Sequence, residues 1–181
     1  MEKINYEEIK GSVDSMKENT ILFESMYKDM VKEQCESLDN IMADMYIDCV
    51  KNSETVPLET LERYYLELSN MVYFMNDKVE KLGVMADMAK SNYNATHNKK
   101  LVEASEVKDE KGKARASAIC VAEAEINSLH DEIVADVYRH AYNAVKAKVL
   151  SATDMCNTLR RILSTRTEEM KLAGTGAGGD M

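Results

Sequence analysis

Apolar residues recur along most of this chain at intervals of three and four, the spacing that puts them on one face of an α-helix. The rule is strictest between Leu58 and Tyr93. Leu58, Leu61, Tyr65, Leu68, Val72, Met75, Val79, Leu82, Ala86, Ala89 and Tyr93 take ten steps over 35 residues, a period of 3.5. That is a heptad repeat, and it predicts a helix over 57–93 with a left-handed coiled-coil seam. Gly83 lies off the seam and costs about 1 kcal/mol in helix propensity.

Two further helices are predicted on either side. The first covers 12–52, with Val13, Met16, Phe23, Tyr27, Met30, Leu38, Ile41, Met45 and Cys49 on its apolar face. The third covers 113–172. Its stripe (Ile119, Ala122, Ile126, Leu129, Ile133, Val137, Ala141, Val145, Val149, Ala152, Cys156, Leu159, Leu163) takes twelve steps over 44 residues, or 3.67 per step. That value belongs to an 11-residue repeat and implies a straight or slightly right-handed seam.

The breaks are few. "NSETVPLE" at 52–59 offers Ser53 and Thr55 as capping hydroxyls and Pro57 for a first helical turn, with Val56 pushed toward extended backbone. Asn92, Asn94, Asn98 and Gly112 weaken the helix through 95–113, which is read as the hairpin loop. After Leu172 the tail "AGTGAGGDM" should stop the helix at Gly174 and stay flexible.

The expected fold is all-α: an elongated three-helix coiled-coil bundle, or long antiparallel helical hairpin. It divides into an acidic N-terminal helix (1–56), the hairpin (57–173) and a Gly-rich tail (174–181). Folding about a 95–113 loop sets Pro57 beside residue 151, so roughly twenty residues of the third helix would overhang. An uncovered apolar seam is costly, so helix 1, a second copy or a foreign protein should cover it.

Composition narrows the classes. The 181 residues include one proline, no tryptophan and thirteen methionines, and 30 % are charged. Few breakers and many charges suit long helices rather than strands. The net charge of −9 is uneven: the first 62 residues hold fifteen acids and six bases, the last 43 hold four and seven. Such asymmetry can pair front with back, within or between chains, and the overall acidity argues against non-specific nucleic-acid binding. Cys35, Cys49, Cys120 and Cys156 are scattered among apolar neighbours, which favours reduced, buried thiols over a disulfide or zinc framework. No apolar run suits a signal peptide or a membrane span, so a soluble cytoplasmic protein is expected.

Catalytic and metal motifs are missing from the sequence. Neither His130 nor His140 has a glutamate three residues before it, and Asp136 with His140 reads as an ordinary i,i+4 pair. HExxH, GxSxG and a phosphate loop are all absent, so no enzyme activity, metal or cofactor is expected. Basic residues cluster in two places: Arg160, Arg161 and Arg166, and Lys108, Lys111, Lys113 and Arg115. Tyr138 and Tyr142 near Arg139 could stack a base beside a cation, although a solvated helix face is the plainer reading. Met71, Met75, Met85 and Met88 suit a core, or an adaptable docking surface.

"KGKARASAICVAEAE" (111–125), leading a helix that ends in "LRRILSTRTEEMK" (159–171), resembles small helical coiled-coil proteins encoded by tailed bacteriophages. The resemblance implies a viral origin and a role in genome handling or host interference. It carries over no site residues.

The function expected is that of a non-enzymatic coiled-coil protein that oligomerises or docks on a partner protein. Met155, Leu159, Ile162 and Leu163 would be its apolar anchors, with Arg160, Arg161 and Arg166 beside them. One alternative is a nucleic-acid accessory protein of recombination or replication, contacting nucleic acid through Lys108, Lys111, Lys113 and Arg115 as well. Another is an acidic inhibitor of a host nucleic-acid-binding protein.

Overall fold

The structure, a computed structural model, describes residues 6–50, 56–108 and 112–176, with side-chain surroundings for 20–48, 56–108 and 112–173. Three α-helices account for nearly all of them. These are α1 (Tyr6–Met45), continued by a short π-helix (Tyr46–Val50), α2 (Leu58–Glu106) and α3 (Ser117–Gly176). The all-α class follows directly.

Helix boundaries differ from the sequence reading, and α3 begins at Ser117 rather than at 113. Helix α1 runs through Gly11 from Tyr6, and α3 runs through Gly174 to Gly176. Helix α2 continues past Tyr93 to Glu106, straight through Asn94 and Asn98. A few tenths of a kcal/mol of poor propensity per residue are outweighed when the segment has something to pack on. Ala104 is buried there and its carbonyl accepts a hydrogen bond from Cys120 Sγ at 3.5 Å. The connection shrinks to 107–116, where Gly112 takes φ 73° and Lys108 bridges Ala114. Residues 109–111, 51–55 and 177–181, including the capping Ser53 and Thr55 and the tail, lie outside the described residues.

Pro57 opens α2 as expected. Its carbonyl accepts from the amides of Thr60 (3.1 Å) and Leu61 (3.2 Å), and its own missing N–H is no loss there.

The chain forms two compact units. The first joins the described residues up to Val31 with Lys81–Asn143. In it α2 and α3 run antiparallel: Ala104 meets Cys120, and Gly83 faces the Tyr142 ring. Leu82, Ala89 and Ala104 bury against Cys120, Ala124, Ser128 and Ala135. The buried Ser128 hydroxyl donates to Ala124 O at 2.8 Å, so its burial is satisfied within the helix. From α1, Phe23 and Tyr27 pack on His140, with ring centroids 5.4 and 5.9 Å away.

The second unit joins Lys32–Glu80 with the described residues from Ala144 onward. Cys35, Leu38 and Met45 of α1, Leu61, Tyr64, Leu68 and Met75 of α2, and Val145, Val149, Ala152 and Leu159 of α3 make its core. Here too α2 and α3 are antiparallel. Ser69 Oγ donates to Cys156 Sγ at 3.7 Å, and Arg166 Nη1 donates to Val56 O at 2.6 Å. Helix α1 is tied in by Lys78 Nζ to Gln34 O (3.0 Å) and by Lys148 Nζ to both Asp39 carboxylate oxygens (2.5 and 2.7 Å).

The start of α2 therefore stands level with Arg166 rather than residue 151. The predicted overhang assumed too early a turn, and the extra turns of α2 cover most of it.

Candidate partner-binding surface

The C-terminal part of α3, in the second unit, holds the residues singled out as anchors. Leu159 is 1 % exposed and belongs to the unit's own core, so it is not a free anchor. Met155 and Leu163 are half-buried, and Ile162 is 37 % exposed. Helical phase explains the split. Leu159 continues the buried Val145–Val149–Ala152 line, while Ile162, three residues on, sits at the edge of that line. Arg160 and Arg161 point to solvent, whereas Arg166 is half-buried and holds Val56 O. A shallow cavity of about 470 Å³ is lined by Thr158, Arg161, Ile162, Thr165, Arg166 and Glu169. The Thr158 and Thr165 hydroxyls bond back to Asp154 O and Arg161 O, which leaves Ile162, Arg161 and Glu169 as its contact chemistry.

The other basic cluster lies on the connection between α2 and α3, where Lys108 bridges Ala114, the residue between Lys113 and Arg115. Lys108 and Lys113 are exposed, and Arg115 lies 2.6 Å from Glu123 Oε2. Lys111 lies outside the described residues. In the first unit Asp136 pairs with Arg139 at 2.9 Å, and His140 belongs to the Phe23–Tyr27 ring cluster. Among the described residues no group of three or more His, Cys, Asp and Glu could hold a metal ion. Nor is any helix among them long and apolar enough to cross a membrane.

Two grooves flank the contact of α2 with α3 in the first unit. One, about 460 Å³, opens where Gly83 withholds a side chain, between Asp87, Lys90 and Tyr93 on α2 and Glu132, Asp136 and Tyr142 on α3. Tyr93 is raised above the ordinary phenol pKa by burial first, then by the charges of Glu132, Glu125 and Asp136. The other, about 300 Å³, is bounded by Met85, Met88, Asn92, Asp131, Val134 and Tyr138. Met75 is buried and Met71 half-buried, while Met85 and Met88 are exposed, so the methionines divide between core and surface.

The larger correction concerns α3 before Val137. Ile119, Ala122, Ile126, Leu129 and Ile133 were expected in the seam, yet all are exposed, Ile126 by 74 %. Helix α2 instead meets the small residues Cys120, Ala124, Ser128 and Ala135, which let two backbones approach closely. A local signal was present. Those five positions step 3, 4, 3, 4, a strict heptad, whereas the whole stripe averages 3.67, so two faces had been joined into one line. Sequence reasoning also missed Tyr73 and Phe74 in the second unit, both largely exposed with rings edge to face at 5.5 Å.

No protein family, curated protein or solved structure matches this chain.

Proposed function

We propose that the chain is a non-enzymatic helical interaction protein that assembles with a second copy or docks on a partner protein through apolar helix faces. The observation that carries this reading is the exposure of large apolar side chains: Ile162, Met170 and Leu172 on α3, Tyr73 and Phe74 on α2. On α3 these residues stand beside the exposed Arg160, Arg161 and Lys171, so the contact would combine apolar burial with orientation by charge.

Absolute mass by light scattering tests the reading, on the wild type and on Ile162→Glu, alone and with single-stranded DNA at low and moderate salt. A stable oligomer that Ile162→Glu dissociates supports it. A monomer whose mass rises with DNA at low salt only, and falls back when Arg160 and Arg161 become Gln, favours a nucleic-acid accessory role instead.

A further inference from the structure

In the first unit, one face of α3 between Ile119 and Ile133 is apolar and bare. Ile119, Ala122, Ile126, Leu129 and Ile133 form a heptad ridge about 21 Å long at 1.5 Å per residue. The ridge lies on the side of α3 opposite the buried row Cys120, Ala124, Ser128 and Ala135, so α2 does not cover it. Four large aliphatic side chains in heptad phase are what one helix presents to another.

Two observations say what kind of occupant fits. The first is precedent further along the helix: the next heptad position is Asp136, paired with Arg139, and at the one after it, His140, Phe23 and Tyr27 of α1 pack on the imidazole. The second is charge. Glu125 and Glu132 stand one residue before Ile126 and Ile133 and border the ridge on one side; Glu123 and His130 border it on the other. The nearby bases are engaged, Arg115 with Glu123 and Arg139 with Asp136. A second copy laid ridge to ridge would bring Glu125 and Glu132 of both chains into one contact.

We propose that this ridge is a docking site for an amphipathic helix of another protein, about four turns long, with an apolar heptad face flanked by lysine or arginine. The inference rests on the reading of the chain as a helical interaction protein and gives that reading a place and a partner chemistry. The partner's apolar positions would interdigitate with Ile119, Ile126, Leu129 and Ile133, as in other helix docking. Its basic flanks would meet Glu125 and Glu132, which sets orientation and speeds encounter.

The probe is a fluorescein-labelled synthetic helix of about 15 residues with leucine at the two apolar heptad positions and lysine at the flanks. Its control carries glutamate at the flanks. Anisotropy is measured with the full chain, with Ile126→Asp and with Glu125→Gln/Glu132→Gln. Because these side chains are outside the core, circular dichroism should be unchanged. The lysine peptide should bind at least about tenfold more tightly than the glutamate peptide, and Ile126→Asp should weaken it by roughly tenfold, the effect of losing one anchor. The double glutamine variant should weaken it severalfold and flatten its salt dependence.

Equal binding to wild type and Ile126→Asp, or equal binding of the two peptides, overturns the proposal. So does a wild-type dimer that Ile126→Asp dissociates, since a second copy would then occupy the ridge. An oligomer sensitive to Ile162→Glu that ignores the lysine peptide leaves the wider reading standing and removes this one.

Discussion

Arg166 Nη1 donates to the carbonyl of Val56 at 2.6 Å, tying α3 to the residue that precedes Pro57. The carbonyl lies just before the first turn of α2, outside the helix's own ladder, so the guanidinium gives it a partner. Arg166 is half-buried, and solvent screens part of this bond. Arg166→Gln should lower unfolding stability by about 1 kcal/mol. Arg160→Gln, at a solvated position, should change it by less than about 0.5 kcal/mol. Urea denaturation of the two variants checks the contrast; equal effects would mean the bond adds nothing.

Leu159 and Ile162 stand three residues apart and do different things. Leu159→Ala removes a fully buried side chain from the core of the second unit and should cost about 3 kcal/mol, in the range of core leucine truncations. Ile162→Ala should cost less than about 1 kcal/mol and keep the fold intact. This is why Ile162, not Leu159, is the informative position for assembly: a charge at Leu159 would unfold the unit whether or not a partner exists. Thermal melts of the two alanine variants give the ordering directly.

Much of the fold was legible because the pattern in α2 is redundant. Leu61, Leu68, Met75, Val79, Leu82 and Ala89 are all buried where the heptad put them, and none of the remaining seam positions is fully exposed. The same holds in α3 from Val137 to Leu159. What failed was local propensity against tertiary packing. Asn94 and Asn98 read as a helix end, but Ala104 and Cys120 pack beyond them and the helix is carried through. A wrong turn position shifted the pairing of α2 with α3, and that shift produced the overhang. The ridge from Ile119 to Ile133 was seen but placed inside, because periodicity reports that a face is apolar and not which element covers it. Alanine, cysteine and serine at 120, 124, 128 and 135 carry too little hydropathy to announce the face that α2 uses.

The thiols should separate by accessibility. Cys35 and Cys120 are buried, and burial pushes the Cys35 thiol pKa up, so its reactive thiolate is scarce. Cys156 is half-buried, with the Ser69 hydroxyl donating toward its sulfur. In a Cys49→Ser background, an aromatic disulfide reagent at pH 8 should label Cys156 first, with Cys35 and Cys120 roughly tenfold slower. Peptide mapping of the labelled sites would detect the opposite order, which would mean that the cores open faster than their packing implies.

Tyr64 Oη donates to Asp48 Oδ2 at 2.6 Å, linking α2 to the π-helix that ends the first helix. That bond, with burial and the carboxylate's charge behind it, pushes the Tyr64 phenol up to about 12. An unfolded tyrosine titrates near 10, so the folded state holds this proton more tightly. The stabilisation is therefore complete below pH 10, falls between 10 and 12, and is gone above 12. Tyr64→Phe should cost about 1 kcal/mol at neutral pH, because Asp48 loses its donor. It should also flatten the decline in stability between pH 10 and 12, and remove one late phenol from the tyrosinate absorbance titration. Tyr93, whose phenol is also raised, supplies the control: Tyr93→Phe should leave the Tyr64 transition in place. If the late transition survives Tyr64→Phe, the hydrogen bond to Asp48 does not persist in solution.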